Sequence, residues 1–134
     1  MTQISFTELL IKAVQTQNKS DKVLEERACR LTDQLYRAGV LPTRRACQHY
    51  KSHHHFSAAL ILWADNQFEV SMRGCRSTTH LATIGSSHMA AWLDSLIRKG
   101  FLESASSKFK ADGKVSVTSK LVALVCVVKS KDAA

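Results

Sequence analysis

In LTDQLYRAGVLPTRRACQHYKSHHHFSAALILW, residues 31–63, a helix-stop residue and a helix-start residue follow each other within four positions: Gly39, then Pro42. Glycine takes the left-handed conformation that closes a helix at no steric cost. Proline fits the first turn of the next helix, where its missing N–H would have no partner. Upstream, Asp21 can cap a helix in which Val23, Leu24, Ala28, Leu31 and Leu35 make an inner stripe, with Glu25, Glu26, Arg27 and Arg30 on the wet side. Downstream, the spacing predicts a short helix over 43–50, a polar break at Lys51 to His53, and a third helix capped by Ser52. In that third helix Phe56, Ala59, Leu60 and Trp63 face inward, leaving His53, His54, Ser57, Ala58 and Ile61 on the other side. Two short helices joined by a sharp turn are the grammar of a helix-turn-helix.

The residue types on that unit fit DNA. Arg44, Arg45 and Lys51 sit at a helix start and in the turn, where cations clamp phosphates and fix register on the duplex. His53, His54 and Ser57 fall where a recognition helix offers its first residues to base edges, and histidine can donate to guanine acceptors. The plainer readings are a solvated helix face for the arginines and a histidine-rich surface turn for the rest.

Gly39, Pro42, Thr43 and Arg45, a serine turn, then Leu60 and Trp63 resemble the N-terminal DNA-binding module of the plasmid-borne KfrA-type proteins. In that family the phrase runs close to G-x-x-P-T-x-R, a Gly-Ser turn, and a helix ending L-x-x-W. Here Lys51-Ser52-His53-His54-His55 stands in place of the Gly-Ser turn. The resemblance covers about a third of the chain and implies a plasmid or mobile-element regulator that reads double-stranded DNA through a helix-turn-helix.

The flanks extend the pattern. Ser5 and Glu8 form an S-x-x-E capping box for a helix over 6–17, with Phe6, Leu9, Leu10, Ala13 and Val14 along one face. After residue 66, Phe68, Val70 and Met72 alternate with polar residues as in a short half-buried strand. Ser77 can cap a short helix, Gly85 turns the chain, and Ser86 caps a clearer helix. There Met89, Leu93, Leu96 and Ile97 point inward, with Trp92 at the stripe's edge, and Gly100 ends the helix. Asp112-Gly113 between 108–111 and 114–118 is a hairpin signal. A helix ending L-x-x-L-x-x-x-G-F-L, then a basic hairpin and a V-x-V-T strand, resembles the recognition helix and wing of bacterial winged-helix regulators. That resemblance implies that Ser87, His88 and Arg98 line the outer face of the helix. Lys108, Lys110 and Lys114 would then lie along a phosphate backbone. A basic hairpin is equally how an edge strand avoids pairing with neighbours. For 121–128 the β-branched run favours a strand and the winged-helix comparison favours a helix, and the two stay open.

The net charge of +8 favours a polyanionic partner. Cys29, Cys47, Cys75 and Cys126 show no CxxC pair and read as reduced thiols, and the first residues lack the basic start and long apolar run of a secretory signal. No apolar run is long enough to span a bilayer, so the expectation is cytoplasmic, without membrane contact. Cys47, His49 and His53 to His55 crowd together, but residues two apart on a helix point to nearly opposite sides, so no metal site is expected. No G-x-S-x-G, glycine-rich phosphate loop or oriented base supports catalysis. The sequence therefore predicts one compact domain over 1–134, mainly α with a small β-hairpin, helix-turn-helix or winged-helix-like. A helical half covers 1–66 and a winged-helix-like half covers 67–134. The expected function is sequence-specific binding of double-stranded DNA, without cofactor, by a homodimer whose contact surfaces are 6–14 and 121–128. The rival from another class is a winged-helix protein-protein interaction module with a protein partner and no direct DNA contact.

Overall fold

The computed structural model describes residues 3–19, 22–41, 50–67, 69–71, 89–104 and 114–133. A three-residue strand, β1 (Gln3–Ser5), runs straight into the first helix, α1 (Phe6–Asn18). The join is the expected cap: the Glu8 N–H donates to Ser5 Oγ at 3.2 Å. Phe6, Leu9, Leu10 and Ala13 are all fully buried, as their spacing requires.

The second helix, α2 (Lys22–Arg37), buries Leu24, Ala28, Leu31 and Leu35. Two positions differ from expectation: Val23 is 61% exposed, and Arg27, expected on the wet side, is 8% exposed. Arg27 is drawn in because Nη1 and Nη2 donate to the two carboxylate oxygens of Asp65 at 2.9 and 3.1 Å. A planar fork meeting a carboxylate in this way can be buried where a single point charge could not. The helix ends as predicted. Gly39 has φ +77°; its N–H donates to Tyr36 O, and the Val40 N–H reaches back to Leu35 O at 3.0 Å. This is a Schellman closure, and Leu35, Val40 and Leu41 beside it are buried in the core. Pro42 and the predicted helix over 43–50, with Arg44 and Arg45, lie outside the described residues, apart from Tyr50.

The third helix, α3 (Tyr50–Asn66), corrects the expected break. Tyr50, placed at the end of a preceding helix, is its first residue, and the helix runs through Lys51, Ser52 and His53 without interruption. The physical reason lies on both sides of the backbone. No glycine or proline stands between 43 and 66 to stop a helix, and the His53 ring finds a partner within the fold in the Tyr36 hydroxyl. The helix stops at Gln67, a non-glycine residue with φ +50°.

Four strands form one sheet in the order β1-β2-β4-β3, where β2 is Glu69–Ser71, β3 is Leu102–Ser104 and β4 is Lys114–Val117. β1 joins β2 in parallel, Ile4 opposite Val70. β2 and β4 are antiparallel, as are β4 and β3, which pair Leu102 with Val117 and Ser104 with Val115. The hairpin therefore begins at Leu102, immediately after the preceding helix, whereas 108–111 and the Asp112-Gly113 turn lie outside the described residues. That preceding helix, α4 (Met89–Arg98), closes at Gly100 (φ +83°) by a second Schellman motif, with Gly100 N–H to Ile97 O and Phe101 N–H to Leu96 O.

The last helix, α5 (Ser119–Ala133), settles the open choice for 121–128 in favour of a helix. Leu121, Val125 and Val128 are buried at i, i+4 and i+7. The β-branched run that argued for a strand is overridden by packing against α2 and α3. Its start is fixed by Thr118, whose Oγ1 shares its one proton between Gly100 O at 2.6 Å and Phe101 O at 2.9 Å, and by Lys120, whose Nζ donates to Lys99 O and sits 4.6 Å over the Phe101 ring.

α1, α3 and α4 meet in an aromatic cluster. Phe56 packs edge-on against Phe6 at 6.0 Å and Trp92 at 5.3 Å, and Phe6 lies 6.2 Å from Trp63. Both tryptophans are core anchors, and Trp92, expected at the stripe's edge, is 4% exposed.

Candidate nucleic-acid interface

The described candidate residues divide between a helix that is buried nearly all round and one with a free side. α3 packs against α1, α2 and α5, and His53, Phe56, Ser57, Ala58, Ala59, Leu60, Ile61 and Trp63 are all 0% exposed. His53 and Ser57, expected to reach base edges, therefore cannot do so. His53 Nδ1 and the Tyr36 hydroxyl share a hydrogen bond at 2.7 Å, and the His53 ring stands edge-on to Trp92 at 4.9 Å. Ser57 meets Thr32 at 2.7 Å. Because the Thr32 hydroxyl spends its one proton on Ala28 O, Ser57 is the donor in that pair. Tyr36 with His53, Thr32 with Ser57, and Arg27 with Asp65 make a polar seam along two antiparallel helices. Such groups tolerate burial where they are hydrogen-bonded, and Arg27 Nε is the atom of the seam that is buried without a partner among the described residues.

His54 lies beside the seam, half-buried. The Cys29 sulfur is 3.9 Å from its Nε2 and 4.0 Å from its Nδ1. Lys51 falls in the first turn of α3. Arg44, Arg45, Ser87, His88, Lys108 and Lys110 lie outside the described residues.

α4 is different in kind. Trp92, Leu93, Leu96 and Ile97 are buried on one side. On the other, Ala91 and Arg98 are exposed, with Asp94 and Ser95 half-buried between them. Arg98, with a side chain 67% exposed, donates from Nε to Asp94 Oδ2 at 2.7 Å. This is the favourable order for an i,i+4 pair, acid first, with the cation near the helix C-terminus. The sheet follows α4 directly in the chain through Gly100, Phe101 and β3. On β4 Val115 turns inward, while Lys114 and Ser116 are exposed. Lys114 Nζ lies 3.2 Å from Glu69 Oε1 across the β2–β4 pairing, its side chain 62% exposed. Arg98 and Lys114 therefore lie at the solvent-facing surface, each with one acidic neighbour.

Other chemistry has no assembled site. Among the described residues no group of three or more His, Cys, Asp and Glu side chains is arranged to hold a metal ion. No described helix is long and apolar enough to cross a membrane. The depressions beside Lys22, Glu25, Glu26, Cys29 and Arg30, and beside Lys12, Gln15, Thr16, Lys19, Leu62 and Asn66, are open and lined largely by charged and polar side chains.

Sequence reasoning missed β1, the bidentate Arg27–Asp65 pair and the polar seam. A signal for the seam was present: Thr32 and Tyr36 are four apart, as are His53 and Ser57, so each helix carries a polar pair on one face. No family model, curated protein or solved structure matches this chain.

Proposed function

We propose that this chain is a sequence-specific double-stranded DNA-binding protein, a transcriptional or mobile-element regulator of winged-helix type. In it α4 enters the major groove and the β3–β4 hairpin lies along the backbone. The observation that carries this reading is the order of the described parts: helix α3, strand β2, helix α4, then β3 and β4, with β4 between β2 and β3 in the sheet. In that order one face of α4 is held by the core while the face bearing Ala91, Asp94, Ser95 and Arg98 stays open to solvent. The net charge of +8 supplies a long-range attraction for phosphate. Arg44, Arg45, Lys51, Lys108, Lys110 and Lys114 are the proposed phosphate contacts, and Ser87 and His88 are further proposed DNA contacts. The reading needs no cofactor, metal or catalytic group, and it places the protein in the cytoplasm.

A homodimer belongs to the same proposal. One short helix reads too few base pairs for useful specificity. α5 carries Ala123, Cys126 and Val127 exposed, with no charge from 121 to 128, so that stretch itself adds no like-charge repulsion between two copies. Ile11 on α1, 43% exposed, is a second exposed apolar position.

A second reading, a winged-helix module that binds a partner protein, is favoured by one specific fact. Arg98 and Lys114 each already face a carboxylate, which weakens the positive potential of this surface. A gel-shift titration against random duplex at two salt concentrations separates the two. DNA binding is expected to be micromolar or tighter in dilute buffer and to fall steeply with salt, because each neutralised phosphate releases counterions. Absence of any shift in dilute buffer would overturn the DNA reading and favour the protein partner.

A further inference from the structure

Arg98 and Asp94 form a unit whose chemistry suits a base better than a phosphate. Arginine has five N–H donors: one on Nε and two on each terminal nitrogen. Asp94 takes the Nε proton at 2.7 Å, and among the described residues the Nη1 and Nη2 edge makes no bond to the protein. That edge presents two parallel donors in a rigid plane, the spacing that fits guanine O6 and N7. A carboxylate in contact with the guanidinium also cancels much of its charge. The pair then attracts an anionic phosphate weakly, yet keeps full directional donor capacity toward a neutral base edge. The bond across one helical turn holds a flexible side chain in place before any duplex arrives, which lowers the ordering cost on binding. Its neighbours on the open face, Ala91 and Ser95, are small and let the helix approach the groove floor closely.

We propose that Arg98, positioned by Asp94 on the open face of α4, recognises a guanine through its Nη1 and Nη2 edge, so that each bound half-site carries an obligatory G·C pair. This inference rests on the DNA-binding reading above. Arg98 is the specificity residue and Asp94 its positioning residue. Lys114 with Glu69 is not equivalent, because an ammonium is a point charge without the planar fork.

The test is selection of bound duplexes from a random pool with the wild-type chain, Arg98→Lys, Arg98→Ala and Asp94→Ala, followed by titration of the recovered duplex and of the same duplex with the G·C pair replaced. Wild type should recover an invariant G·C and prefer it roughly ten- to a hundredfold. Arg98→Lys keeps the charge and loses the fork, so it should still bind duplex while the preference collapses to within about twofold. A phosphate contact would instead be rescued by lysine. Asp94→Ala should leave binding to unrelated duplex equal or stronger while lowering discrimination, an outcome that a merely structural role for Asp94 would not give. Because Arg98 is exposed, thermal melts of its variants should match wild type, which separates lost reading from lost folding. Unchanged preference in Arg98→Ala, or full restoration by Arg98→Lys, would overturn the inference while the DNA reading stands. Failure of the wild-type chain to bind any duplex would bring down both.

Discussion

α3 carries Ser52, His53 and Phe56 in its sequence, and the stretch that leads into α4 repeats the pattern with Ser86, His88 and Trp92. Their fates are opposite. α3 is enclosed by three helices and hides His53 and Ser57 at 0% exposure, whereas α4 lies against the core on one side and leaves Arg98 in solvent. The comparison teaches that a polar residue on a helix does not mark a wet face. It marks a face with polar partners, and those partners can be water, nucleic acid or another helix. In α3 the partners are Tyr36 and Thr32 of α2.

The sharpest way to break this comparison is to empty the centre of α3. Trp63 is fully buried and packs against Phe6. Trp63→Ala should cost about 3–5 kcal/mol in urea unfolding, enough to threaten folding altogether. A loss under about 1 kcal/mol would mean that α3 is not the central helix.

The polar seam gives an intermediate effect. Ser57→Ala removes the donor to a buried Thr32 hydroxyl that is already committed to Ala28 O, so a cost of about 1–2 kcal/mol is expected. Thr32→Val with Ser57→Ala should cost less than the sum of the two single changes, the coupling expected of neighbours in one network. If Ser57→Ala left stability unchanged and altered which duplexes are selected, the seam would be wrong and α3 would be the presented helix.

What the sequence made legible was the local chemistry of helix ends and single faces. Ser5 with Glu8, the closures at Gly39 and Gly100, the Phe6, Leu9, Leu10 stripe and the inward Leu93, Leu96 and Ile97 of α4 depend on residues within a few positions of each other, and they hold in the structure. What stayed hidden depends on distant partners. Lys51 to His53 look like a break only until Tyr36 is placed opposite His53, 17 residues away in sequence. Arg27 looks wet until Asp65, 38 residues on, supplies both oxygens. β1 is too short to announce itself and exists through its parallel pairing with β2, and 121–128 becomes helical only where α2 and α3 receive it. Of the candidate interface, the outward position of Arg98 could be read from helical spacing. The reversal for His53 and Ser57 left only the i,i+4 polar pairs as a signal, since amphipathic patterning assumes one buried face and α3 has little else.

The smallest effect on stability is expected at α4, and its smallness carries meaning. Arg98 is 67% exposed at the last turn of its helix, and its bond to Asp94 is a surface pair. Surface pairs contribute about 0–1 kcal/mol and changes away from buried features usually stay within about 0.5 kcal/mol, so Arg98→Ala should unfold within that margin of wild type. An arginine set in place by a neighbour, yet almost dispensable to the fold, has its interaction energy available for something outside the chain. A loss above about 1.5 kcal/mol in equilibrium unfolding would say the reverse: Arg98 would then be a structural clamp, and α4 would resemble α3 after all.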